Sequence, residues 1–155
     1  MAFDAASGLR LWQTEQADDV VHLLGVVDDC LIANGRNVRW IETATGRSKR
    51  CFPDVDDLNQ GPYAPRGRGL LAGDAVYWPQ AGRIAVLSQR VSTDPRVPIE
   101  RNAIPFAPLA MELTGGNLYA DGDCLYVATS DRIWALGPAA PLRVREKLEV
   151  AGRTR

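Results

Sequence analysis

Apolar positions in this chain come in short runs broken at close intervals by Gly, Pro, Asn and Asp. The runs are rich in Val, Ile, Leu, Tyr and Trp, the residues that suit a pleated surface. Cys30-Leu-Ile-Ala33 and Leu125-Tyr-Val-Ala128 are almost continuously apolar rather than alternating. That pattern predicts short strands covered on both faces. Helical periodicity is scarce. Residues 106–113 have room for one helical turn. Apolar side chains at Leu142, Val144, Leu148 and Val150 fit a period-two strand better than a helix, with Glu146 out of phase. The 88–116 stretch carries Pro95, Pro98, Pro105 and Pro108, which predicts a long excursion with at most one edge strand, since Pro cannot donate to a ladder.

Three stretches of the chain align with one another. They are Leu24–Ala33 followed by Asn37–Ile41, Leu70–Trp78 followed by Arg83–Leu87, and Leu118–Val127 followed by Arg132–Leu136. Anchored on Asp29, Asp74 and Asp123, they repeat after 45 and 49 residues. Each predicts strand, tight turn, strand, turn, strand. The first turns are Asp28-Asp29, Gly73-Asp74 and Gly122-Asp123, residues that tolerate the positive φ of two-residue hairpins. Asn34-Gly35, Ala81-Gly82 and Ser130-Asp131 predict the second set. A sheet of about four strands, buried on both faces and repeated at this period, is the signature of a propeller blade.

The chain has 155 residues, 46% apolar and 24% charged, which suits one modest domain or a piece of a larger one. A formal net charge of −1 leaves no broad basic field for nucleic acid or anionic lipid. No apolar run reaches the roughly 18–20 residues of a membrane helix. Met1–Trp12 lacks the apolar core of a signal peptide. Cys30, Cys51 and Cys124 form no C-x-x-C pair and are expected to act as small half-buried hydrophobes. Cys30–Cys51 is the bridge an exported chain would allow.

The N-terminus reads Ala2-Phe-Asp4-Ala-Ala-Ser-Gly8-Leu-Arg-Leu-Trp12, a match to A-x-D-x-x-[TS]-G-x-x-x-W. Asp4 is suited to capping the turn, Gly8 to its positive-φ position, and Trp12 to packing on a neighbouring sheet. A second copy, Trp40-Ile-Glu42-Thr-Ala-Thr-Gly46-Arg-Ser-Lys-Arg50, has Glu42 in place of Asp and Arg50 in place of Trp. Two further copies, around Ser88 and Gly137, are eroded. In phase with the repeat, this motif resembles that of the PQQ-like (pyrroloquinoline-quinone-type) β-propeller family. The resemblance implies an all-β fold: a partial propeller of four-stranded antiparallel blades, an arc of a seven- or eight-bladed ring. Residues 1–150 would form the arc. Within it, 1–15 is the last hairpin of a preceding blade, and 20–52, 63–103 and 116–150 are blades. Residues 151–155 form a tail. Met1 directly before a hairpin is expected to be an internal position of a longer protein. The apolar faces at the two ends of the arc are expected to be closed by other blades or by a second copy.

Candidate chemistry is sparse. His22, the only histidine, lies in Val20–Leu24, an expected innermost strand, and predicts a structural or channel-facing role. Gly67-x-Gly69-x-x-Ala72 is a loose dinucleotide fingerprint, but a strand rather than a helix follows it. Asp54–Asn59 begins like a calcium loop, yet Leu58 and Pro65 occupy ligand positions, so an acidic loop between blades is expected. Arg66 and Arg68 precede an inner strand, where they are suited to lining a channel and meeting an anionic partner. Arg143, Arg145 and Lys147 form the other basic cluster. Trp40, Trp78 and Trp134 are expected between blades. The expected function is a non-catalytic binding or scaffold module with protein partners, no cofactor and no nucleic acid. The alternative is a fragment of a PQQ-dependent quinoprotein dehydrogenase whose catalytic residues lie in other blades, although no Cys-Cys pair is present. A third reading attaches the propeller as a sensor to a signalling or protease domain. The resemblance favours the periplasm or cell envelope.

Overall fold

The computed structural model describes residues 1–14, 19–53, 64–106 and 116–137. These residues are all-β and form four antiparallel sheets in chain order. A two-stranded hairpin joins β1 (Ala2–Phe3) and β2 (Arg10–Trp12). The first four-stranded sheet contains β3 (Val20–Val27), β4 (Cys30–Gly35), β5 (Val38–Glu42) and β6 (Ser48–Phe52). The second contains β7 (Leu70–Ala72), β8 (Ala75–Pro79), β9 (Arg83–Ser88) and β10 (Glu100–Pro105). The third has β11 (Asn117–Asp121), β12 (Cys124–Ala128) and β13 (Ile133–Leu136). Each is a meander in which every strand pairs with its sequence neighbour. No closed sheet occurs among the described residues.

Side-chain alternation explains why the sheets stack. One face of the first sheet presents Cys30, Ile32, Val38 and Trp40 to Val76, Trp78, Ala85 and Leu87 of the second. The opposite face of the second sheet presents Ile84, with Tyr77 and Ile104 beside it, to Leu125 and Val127 of the third. The near-continuous apolar runs of β4 and β8 follow from this double coverage. Trp40 and Trp78 are fully buried, and Phe52 meets the Trp78 ring edge-on at 6.4 Å. Trp134 is half-buried against the second core. The first strands of adjacent sheets also meet, β7 lying against β3 on one side and β11 on the other.

The excursion after β9 contains one strand, β10, which is an edge strand ending at Pro105. Asn34 and Gly35 differ from expectation. They belong to β4 rather than to the turn that follows it. The Cys30–Cys51 bridge that an exported chain would allow is not formed, and the cysteines are buried or half-buried thiols outside any disulfide, as expected. Cys30 pairs with Glu42 across β4–β5 and Cys51 with Arg39 across β5–β6. A whole strand separates them, about 9–10 Å at strand spacing, beyond disulfide reach. Burial, then the bond to Asp29, pushes the Cys30 thiol above its ordinary pKa. The helical turn expected over 106–113 (all but Phe106 of it), the acidic loop 54–59, the strand over 142–150 and the 143–147 basic cluster lie outside the described residues.

The repeat motif is a turn followed by an outward reach. Asp4 Oδ1 accepts from the Ser7 N–H at 2.7 Å, the Ser7 hydroxyl at 2.6 Å and the Ala6 N–H at 3.2 Å. The Gly8 N–H closes the turn on the Asp4 carbonyl, with φ +70° at Gly8. In the second copy Gly46 does the same on Glu42, with φ +74°. The longer Glu42 side chain takes the Thr45 hydroxyl instead. Ala2 pairs with Trp12 across the hairpin. Trp12 then reaches into the next sheet, donating its indole N–H to the Thr43 carbonyl at 2.7 Å. Its ring lies directly over Gly46, where a Cβ would collide with it. Gly46 therefore answers two demands, left-handed backbone and space for the indole.

Arg50 stands where the motif has Trp and makes the same reach. Its guanidinium donates to the carbonyls of Ser92 at 3.1 Å, Asp94 at 3.0 Å and Val97 at 3.5 Å in the β9–β10 connection. Arg50→Met keeps the aliphatic stem and removes these bonds. It is expected to cost about 1–2 kcal/mol by urea unfolding. A change below about 0.3 kcal/mol would show that the reach contributes nothing.

The turns on the opposite side from the sheet-to-sheet connections carry paired carboxylates. Hydrogen bonds from Ser7 hold the Asp4 carboxyl below its ordinary 3.8. Lys49 does the same for Asp29, and Arg101 for Asp74. A depressed folded-state pKa contributes stability that is complete above the unfolded value and lost as pH falls through the folded value. The urea midpoint is therefore expected to drop below about pH 4, and Asp4→Asn to remove part of that drop.

Candidate functional site

The starts of β3, β7 and β11 and the β4–β5, β8–β9 and β12–β13 turns lie at one end of their sheets. At this end an open cavity of about 430 Å³ lies between the first and second sheets. Its wall comes from three places: Asp19, Val21 and His22 around the start of β3, Asn34–Arg36 at the end of β4, and Pro65 and Gly67 before β7.

Asn34 builds this junction. It is buried, and its side chain clasps the backbone of the second sheet's leading segment. Its Nδ2 donates to the Gly67 carbonyl at 3.1 Å, and its Oδ1 accepts from the Gly69 N–H at 3.0 Å. A Cβ at Gly69 would lie 2.8 Å from Leu24 Cδ1 and 3.3 Å from the Tyr77 carbonyl, so a side chain here would have to push Leu24 aside where β7 approaches β3. Gly67 and Gly69 thus serve sheet contact, and the strand after them bears no relation to a dinucleotide helix. Gly35 lies so close to the Asp19 carbonyl that it too leaves no room for a Cβ.

Asp19 Oδ1 accepts from Arg39 Nε at 3.2 Å, while Oδ2 is buried without a hydrogen-bond partner among the described residues. His22 is half-buried in the cavity wall, as expected of an inner-strand position, and makes no hydrogen bond among the described residues. Arg36 is exposed and unpaired among them. Arg68 donates to the Leu23 carbonyl at 3.1 Å, which ties it across β3 beside the cavity. The lining contains no hydroxyl or thiol, hence no nucleophile for a His22-centred relay. It can hold a ligand by charge and hydrogen bonding.

The motif residues Ala2, Asp4, Gly8, Trp12, Glu42 and Gly46 lie on the hairpin and the β5–β6 turn, apart from this cavity. Their work is sheet-to-sheet contact. The described residues contain no group of three or more His, Cys, Asp or Glu side chains able to hold a metal ion. None of their helices is long and apolar enough to cross a membrane. The cavity escapes sequence reading because its wall comes from segments some 30 residues apart that meet only when β7 packs on β3. No family model matches the chain, and no curated protein matches it.

Proposed function

We propose that the chain is an arc of a PQQ-like β-propeller serving as a non-catalytic binding scaffold, with recognition at the end that holds the His22 cavity. The observation that carries this reading is the sheet of β7–β10, sandwiched between two meanders of the same strand order. Side-chain size supports a fan rather than a flat stack. Glycines at 25 and 69 bring the first strands together, whereas Trp40, Trp78, Phe52 and Arg50 fill the space further out. A wedge thin inside and thick outside turns each sheet about a common axis.

The two outer faces support neighbours beyond these sheets. Val21, Leu23 and Val26 of β3, and Tyr119 and Ile133 of the third sheet, are all more than half exposed. Further blades, or a second copy, would cover them. The binding role rests on loops gathered at one end of a rigid stack and on a cavity that supplies charge without a nucleophile.

The test is a turnover assay with alcohols and sugars, an electron acceptor, and added pyrroloquinoline quinone and calcium. No turnover above buffer is expected. Turnover abolished by omitting the quinone would replace this reading with the quinoprotein one.

A further inference from the structure

We propose that the cavity between β3 and the segment before β7 binds a small oxyanion, a carboxylate or phosphate group. The inference rests on reading this end as the binding end. The carboxylate in its wall is Asp19, whose Oδ1 accepts from Arg39 Nε at 3.2 Å, while Oδ2 has no donor among the described residues. Among the described residues, the other titratable groups around the opening are basic. Arg36 lines the cavity, exposed and without an ion pair among the described residues. His22 lines it with no side-chain hydrogen bond among the described residues. Arg66 sits between the lining residues Pro65 and Gly67, exposed and without a side-chain partner among the described residues. Arg68 spends one N–H on the Leu23 carbonyl beside His22, which places a fourth basic group at the same rim. A fork of guanidinium donors suits planar or tetrahedral oxyanions, and a half-enclosed wall screens them less than open solvent does. The Asn34 clasp and the tight Gly35–Asp19 packing keep the floor in place before a ligand arrives.

One histidine in the chain makes the experiment clean. Sodium acetate and sodium phosphate are titrated separately into the full chain at constant pH and ionic strength, and the His22 ring signals are followed by NMR. A saturable shift in the millimolar range, from at least one anion and absent with sodium chloride, is expected. Which anion saturates first distinguishes carboxylate from phosphate. Arg36→Gln is expected to weaken binding about tenfold, with Arg36→Lys in between, and Arg47→Gln at the opposite end to leave it unchanged. Unchanged tryptophan fluorescence and near-UV circular dichroism check that each variant is folded. No saturable shift up to about 20 mM, a shift reproduced by chloride, or equal affinity in a folded Arg36→Gln would overturn the proposal. Each of those outcomes leaves the turnover result, and with it the scaffold reading, standing.

Discussion

Trp40→Ala is expected to lower the unfolding free energy by about 3–5 kcal/mol, among the largest effects of any single substitution in this chain. The ring is fully buried between the first and second sheets, among Ile32, Val38, Val76 and Leu87. Truncation removes the transfer free energy of an indole and leaves a cavity that two stacked sheets cannot collapse without sliding. The indole N–H also donates to the Gln89 carbonyl at 2.9 Å, so the substitution removes that carbonyl's indole donor. Comparison with Trp78 separates the two contributions. Trp78 is equally buried, but its indole N–H has no partner among the described residues. Trp40→Phe is therefore expected to cost about 1 kcal/mol more than Trp78→Phe, because only Trp40→Phe gives up a hydrogen bond. Urea unfolding followed by circular dichroism measures all three. Equal costs for the two Phe variants would mean that the Gln89 bond contributes nothing.

The second large effect is expected at Asn34. Asn34→Ala removes both bonds of the clasp and leaves the Gly67 carbonyl and Gly69 N–H without it, at about 2–4 kcal/mol. Asn34→Asp tests the same geometry through pH. A carboxylate keeps the acceptor for Gly69 but sets negative charge against the Gly67 carbonyl in a buried site. Protonated, it donates to that carbonyl and restores the clasp. Its folded-state pKa is therefore raised, so stability is complete below the ordinary carboxyl value and lost as pH rises through the folded one. The Asn34→Asp penalty, measured against the parent at each pH, is expected to be small near pH 4 and largest at pH 7. A penalty independent of pH would show that residue 34 does not contact Gly67 as described.

The strands were legible because each apolar run is punctuated where the chain turns. Two-sided burial was legible in Cys30–Ala33, whose successive apolar residues cannot share one face. Asn34 was harder. Beside Gly35 it has the composition of a turn, and only the packing of β7 shows that its amide satisfies another sheet's backbone. Its signal was a polar residue continuing the otherwise apolar Ile32-Ala33 run. Arg50 reads in the sequence as loss of the Trp of the motif. Structurally it makes the same reach, because a guanidinium on a long stem delivers N–H donors to the next sheet's carbonyls as an indole does. The Cys30–Cys51 alternative falls away because sequence separation says nothing about an intervening strand. The cavity at His22 depends on long-range contact between β3 and β7, which no local spacing encodes.

The proposed fan of sheets is tested most directly by distances between spin labels, using registers already set by strand pairing. Leu23, Ala33, Arg39 and Cys51 form one row across the first sheet. Tyr119, Tyr126 and Ala135 form one across the third. Labels at Leu23 and Tyr119 report the inner edge, and labels at Cys51 and Ala135 the outer edge, with the remaining cysteines replaced. A propeller arc predicts a clearly longer outer distance than inner. Equal distances, or a shorter outer one, would mean a flat stack and would contradict the propeller reading.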